Sequence, residues 1–347
     1  MRSFIAPLLF ALILTGSLTA QDLSVPGEKH LANIKQLTFG GENAEAYFSF
    51  DGKQLIFQSK RDGHPCDRIY RMNIDGTDFR QVSNGEGRTT CSYFFKDGKR
   101  VLYASTHGGS RDCPPSPDFA KYGYVWAVYP DYDIYTATPD GKNISNLTNT
   151  PGYDAEATVS PNGKKIVFTS DRSGDLELYS MDTDGKNVKQ LTNEPGYDGG
   201  AFYSPDNKWI VYRGSHPTDP KLVERDKELL KQHLIVPITF EVWVMKADGS
   251  GKKQVTKLNA ASFAPFFLPD GKRIIFCTNY FATDKTKRNF DLAIINVDGT
   301  GLERVTFNDS FDGFPMFSPD GKKLVFASNR NAKTQGDTNV FIADWVK

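Results

Sequence analysis

The stretch MFSPDGKKLVFASNR, residues 316–330, is an apolar run, a Pro-Asp-Gly turn and a second run in which apolar residues alternate. Proline presets φ before the turn and glycine takes its left-handed position, so the stretch reads as a β-hairpin. Five further copies begin at Tyr47, Tyr93, Thr158, Phe202 and Phe266. A second turn recurs as Asp75-Gly76, Asp140-Gly141, Asp184-Gly185, Asp248-Gly249 and Asp298-Gly299. Each repeat therefore holds two hairpins, or four strands. From each second turn to the next first turn (Asp75 to Asp97, Asp140 to Asn162, Asp184 to Asp206, Asp248 to Asp270, Asp298 to Asp320) the interval is always 22 residues. From first turn to second turn it runs 24, 43, 22, 42 and 28, so all length variation falls between the second and third strands. One rigid and one variable connection per four-stranded unit is the pattern of a propeller blade, with the variable loops on one rim.

The ends of the chain predict closure. The sixth repeat stops after its third strand, NVFIADWV, while Ile34 to Thr38 reads as an orphan fourth strand resembling Lys189 to Thr192. The expectation is an all-β, six-bladed propeller over residues 34–347, closed by an N-terminal strand that completes the last blade. Ahead of it, residues 1–20 carry Arg2, an apolar run from Phe4 to Leu14 too short to span a bilayer, and a small-residue site ending at Ala20. That is a secretory signal, followed by a short lead over 21–33, and the expected location is periplasmic or secreted.

Forty-two basic side chains balance 42 acidic ones. This removes the footprint of a nucleic-acid binder, and no apolar run downstream of the signal is long enough to span a membrane. A monomer is expected.

Ser318-Pro319-Asp320-Gly321-Lys322 with Ser328-Asn329-Arg330, and Leu178-Tyr179-Ser180-Met181-Asp182-Thr183-Asp184-Gly185, resemble the repeat signature of the TolB-like propellers. The resemblance covers nearly all of the chain beyond the signal and implies the propeller fold. The family includes an envelope recognition protein, propellers of exported peptidases and sugar lyases. Members with an α/β domain ahead of the propeller carry it where this chain has only the lead 21–33, so a propeller alone is expected.

The repeats differ at positions that point to a site. Ten residues after the first turn they read Arg61, His107, Arg172, His216, Tyr280 and Arg330. Histidine appears only in the two repeats with long insertions, 106–132 and 214–240. Eight residues before that turn stand Asn43, Thr89, Asp154, Asp198, Ser262 and Asp312, and two positions on, Glu45, Cys91, Glu156, Gly200, Ala264 and Phe314. Acids and bases are thus expected to meet near the mouth of the central channel. Arg61, Arg330, Asp312 and Glu45 read as a structural charge ring. Asp154, Glu156, Arg172, Asp198, His107 and His216 read as ligand-binding residues, in a groove that the two insertions bracket. Tyr124 and Trp126 in the first insertion offer stacking platforms. In the second, Asp219 and Pro220 read as the N-cap and first position of an amphipathic helix over Lys221 to Leu234.

Export favours one disulfide among Cys66, Cys91 and Cys113, and Cys66–Cys113 is preferred because it pins the long insertion. Cys277 reads as a buried free thiol. No cofactor is expected; a channel-mouth cation, or zinc on Cys66, Cys91, Cys113 and His107, is the alternative. No G-x-S-x-G elbow and no glycine-rich phosphate loop occurs. The first functional reading is a non-catalytic exported propeller that binds an envelope or extracellular protein or glycan through its decorated face. The alternative is a lyase or hydrolase acting on an anionic sugar or peptide, with His107 or His216 as general base.

Overall fold

The computed structural model describes residues 22–283, 288–309 and 311–347. The signal segment 1–20 lies outside them. Six four-stranded antiparallel sheets follow one another along the chain. The first blade runs Glu42–Phe48, Gln54–Lys60, Arg68–Asn73 and Arg80–Gln81; the last takes Asp312–Phe317, Lys323–Ser328 and Asn339–Trp345 from the C-terminus and Leu31–Gln36 from the N-terminus. Leu31 faces Trp345 and Gln36 faces Phe341, so the ring closes as expected, with the strand starting three residues earlier than Ile34. The lead is anchored too: Glu28 accepts from Arg330 at 2.8 and 3.1 Å beneath the surface of blade six. Closure pairs strand edges that would otherwise stay open. No helix among the described residues is long and apolar enough to cross a membrane.

Every inner strand breaks register at the same place, between Ala44 and Tyr47, Thr90 and Tyr93, Ala155 and Thr158, Gly199 and Phe202, Phe263 and Phe266, and Gly313 and Met316. At each break one residue is left-handed: Glu45 (φ 56°), Cys91 (49°), Glu156 (57°), Gly200 (59°), Ala264 (51°) and Phe314 (53°). A bulge of this kind re-aims one side chain. Five non-glycine residues accept the αL penalty at one level of the ring, so the device belongs to the blade design.

Two residues beyond the bulge, in four of the six blades, aromatic rings plug the channel. Tyr47 and Phe202 belong to blades one and four, which are diametrically opposed, yet their centroids are 5.4 Å apart; Tyr93 lies 5.7 Å from Tyr47, and Phe266 5.2 Å from Phe202. Rings in contact across the axis leave no through-pore at this level. The channel is blind from the insertion-bearing face.

The two insertions do not bracket an open groove over blade three. Trp126–Ala127 of the first pairs antiparallel with Leu234–Ile235 of the second, and Tyr122 Oη donates to Gln232 at 2.5 Å. Val128, Tyr132, Tyr153, Leu176, Tyr197 and Phe240 form a buried cluster beneath this bridge, with Leu230 and Ile235 packed on it. Apolar burial therefore roofs blade three. The helix starts at Pro220, with Asp219 Oδ1 accepting from Lys221 N at 2.9 Å, but it ends at Leu230. Leu234 belongs to the bridging strand.

Candidate functional site

Above the aromatic plug lies a cavity of about 620 Å³. Its floor is made by four of the left-handed residues, Glu45, Cys91, Glu156 and Phe314, which with Gly200 and Ala264 also line a small hollow of their own. Its walls come from the first insertion (Tyr124, Trp126, Tyr129, Tyr132), from Tyr153, Phe263 and Phe311, and from Asp67 and Arg88. The disulfide Cys66–Cys113 ties the root of that insertion to blade one, with Cα atoms 5.8 Å apart. Cys91 and Cys277 are free. With Cys66 and Cys113 joined, the zinc set of three cysteines and His107 loses two of its four donors.

Two of the floor acids differ sharply in environment. Glu156 is saturated: it pairs with Arg213 and accepts from Tyr197 Oη at 2.7 Å, Thr169 Oγ1 at 2.8 Å and Gly200 N at 2.8 Å. Arg213 is only 6% exposed and its guanidinium is boxed by Trp126 (5.5 Å), Tyr197 (5.2 Å) and Phe240 (5.8 Å). A buried, multiply bonded pair of this kind is fold architecture, and its members have little left to offer a ligand. Glu45 is the opposite case. Its Oε2 is buried without a partner, and burial pushes its carboxyl up to about 7, against the hydrogen bond from Cys91. The same burial, with Glu45 and Glu156 nearby, drives the Cys91 thiol well above its ordinary range. Arg88, 3.8 Å from Asp67, is the other basic group of the wall.

The expectation that both residue rings meet at the channel mouth needs correction. Glu45, Glu156, Tyr124 and Trp126 line the cavity; Asp154, Arg172, Asp198, His107, His216, Arg61, Arg330 and Asp312 do not. The acids eight residues before the turn point into the blade, where each meets the base ten residues after the turn of its own repeat. Arg172 grips Asp154 at 2.8 Å through both oxygens, Arg330 contacts Asp312 at 3.1 Å, and His216 Nε2 sits 2.8 Å from Asp198. Arg61 meets no acid of either ring; its guanidinium lies 4.5 Å over Phe79 and 3.5 Å from Asp62. His107 bonds Ser105 Oγ at 2.7 Å and packs 4.1 Å from Tyr135. Burial holds the His107 imidazole low, whereas for His216 the bond and charge of Asp198 outweigh burial and raise it. The alternating strand explains the split: successive inner-strand residues face opposite sides, and the αL bulge turns only one of them to the axis.

Arg213 is the residue that sequence reasoning missed. A signal existed. Seven residues after the first turn the repeats read Gln58, Ala104, Thr169, Arg213, Cys277 and Ala327, and a lone arginine inside an alternating apolar strand marks a buried charge in need of a partner.

A family model described as the TolB beta propeller domain matches residues 113–237. A protein TolB homolog of Chlorobium luteolum is 26% identical over 144 residues, 35% of this chain, and the match spans a third (33%) of that relative's length. A Tol-Pal system protein TolB of Bordetella pertussis is 50% identical over 34 residues, 10% of this chain and 8% of that protein. Among solved structures, the putative TolB from Agrobacterium tumefaciens superposes with a TM-score of 0.54 at 18% identity, covering 88% of this chain and 91% of that one. TolB from Acinetobacter baumannii gives 0.56 at 17%, covering 88% and 63%. An oligogalacturonate lyase in complex with manganese gives 0.51 at 14%, covering 92% and 95%. At these identities the structural likeness speaks for the fold alone.

Proposed function

We propose that this chain, a TolB-like six-bladed β-propeller, is an exported recognition module that binds an envelope protein through its insertion-bearing face. A basic side chain of that partner would enter the blind cavity and pair with Glu45. The observation that carries this reading is the bare Oε2 of Glu45 on a floor whose other acid is already neutralised by Arg213. Aromatic walls support it, because Tyr124, Trp126 and Tyr129 present faces that attract an ammonium or guanidinium group as well as apolar stems. Tyr124 is 66% exposed, as a contact residue at an entrance would be. The alternative of a lyase or hydrolase with His107 or His216 as general base finds neither imidazole on the cavity, since among the described residues no histidine lines it. Export to the periplasm or beyond is part of the proposal and rests on the signal segment.

The test uses the intact protein and short peptides that differ only in one central residue, Lys, Gln or Glu, with tryptophan fluorescence as the readout. The Lys peptide is expected to bind at least tenfold more tightly than the Glu peptide. Glu45→Gln should erase that preference, and Trp126→Ala should weaken all three. Equal affinity for the Lys and Glu peptides in the unaltered protein overturns the reading.

A further inference from the structure

A second polar cluster lies away from the cavity, between blades three and four. Glu177 opens the third strand of blade three (Glu177–Asp182), Glu194 sits in the link to the next blade, and Asp198 lies near the start of the inner strand Tyr197–Tyr203. One carboxylate oxygen from each lies within 4.8 Å of the other two. Glu177 is 2% exposed and Asp198 1%, and Glu177 Oε2 and Asp198 Oδ2 have no hydrogen-bond partner. A further buried oxygen comes from a different strand. Tyr212, on the second strand of blade four, is fully buried, its hydroxyl is unpartnered, and it lies within electrostatic reach of Asp198, Glu194 and Glu177 together.

At the repeat position that Glu177 occupies, Asp133 and Glu241 are satisfied by hydroxyl, amide and backbone donors, while between blades five and six the acids meet arginines. There Asp291 meets Arg304 at 2.9 Å and Asp312 meets Arg330 at 3.1 Å. Between blades three and four the described cations are His216 at 2.8 Å from Asp198 and Lys252 at 3.3 Å from Glu194, and Glu177 has none. Histidine stands where other repeats place arginine. An arginine would cover Asp198 through two oxygens, as Arg172 does Asp154, whereas the imidazole bonds Oδ1 alone and leaves Oδ2 open. Burying ionised carboxylates without matching cations costs several kcal/mol each, so these oxygens must either hold a proton or share a bound cation.

We propose that Glu177, Glu194 and Asp198, with the Tyr212 hydroxyl, form a site for a calcium-class divalent cation that ties blade three to blade four. Carboxylate oxygens at these separations suit a flexible oxygen shell at roughly 2.3–2.6 Å from the ion better than the tight octahedron of magnesium at roughly 2.0–2.1 Å. Among the described residues the clustered donors are carboxylates alone, with no cysteine or histidine among them, and an all-oxygen set does not favour zinc. His216 acts as a positioning residue that orients Asp198.

The experiment is calorimetric titration of the EDTA-stripped, otherwise unaltered protein with CaCl2, paired with thermal melts with and without the ion. One calcium per chain is expected, with a rise in Tm of roughly 5 °C at hundredfold excess over Kd. Glu194→Gln, at a half-buried position, should fold and bind calcium at least tenfold more weakly. His216→Arg installs the charge that other blades use, and should abolish binding while the calcium-free protein melts no lower than the parent. Absence of calcium uptake by the unaltered protein, preference for zinc or magnesium over calcium, or unchanged affinity in both variants overturns the proposal.

Discussion

At the residue scale the floor of the channel separates two acids that occupy equivalent positions. Glu156 has every oxygen satisfied, and Glu45 has one buried and bare. The consequence is a pH dependence with a definite sign. Glu45 has its carboxyl raised by burial to about 7, above the ordinary value of 4.5, against the attraction of Arg213 and with repulsion from Glu156 and Asp67. A raised folded-state value favours the folded protein while the group is protonated. Its contribution is complete below pH 4.5 and is lost as pH rises through 7. Compared with Glu45→Gln, the parent protein should therefore lose on the order of 3 kcal/mol between pH 4.5 and 8, read from urea midpoints at a series of pH values. A constant difference between the two proteins across that range would contradict the assignment. Which of two equivalent acids is the free one could not be read along the chain, because the distinction depends on Arg213 arriving from the second strand of another blade.

At the scale of elements, the insertions were legible as extra length on one rim, and the capped helix at Pro220 was legible from Asp219-Pro220. Their pairing was not. The segment Trp126–Ala127 contributes two residues to the bridge, and so does Leu234–Ile235, too few for any periodicity to announce a strand. The disulfide anchors this element. Cys66 and Cys113 close a loop with a separation of 47 residues, which on a chain-entropy estimate stabilises by about 4 kcal/mol. Counting thiols in the unfolded, unreduced protein should find two of the four cysteines free. The Cys66→Ser, Cys113→Ser double variant should be cut by protease within 106–132 far faster than the parent, with the six blades retained by circular dichroism. Equal cleavage rates would show that packing on Tyr132, Tyr153 and Phe240 alone holds the insertion.

For the whole molecule, stability depends on where the ring is joined. The strand Leu31–Gln36 is far from its partner in sequence, and it carries Leu31 and Ile34 into a core shared with Leu324, Phe326, Phe341 and Ala343. Deleting residues 22–36 would expose that apolar surface and the edge of Asn339–Trp345 together. The truncated protein is expected to melt well below the parent, by 10 °C or more as an order of magnitude, and to associate in size-exclusion chromatography. A monodisperse truncated protein with the parent's Tm would mean that the remaining five complete blades suffice.

The sequence by itself determined the blade, the number of blades, the closure and the face that bears the insertions, because an invariant 22-residue interval and a pair of turn signatures are local properties of the backbone. The tertiary structure alone decided which of two polar rings faces the channel, which acid is left unpaired, and that the insertions meet over blade three. Those outcomes depend on a left-handed residue turning one side chain out of the strand's alternation, and on contacts between blades that are distant along the chain. Neither is encoded in spacing, since a repeat that conserves the position of an acid says nothing about which neighbour will neutralise it.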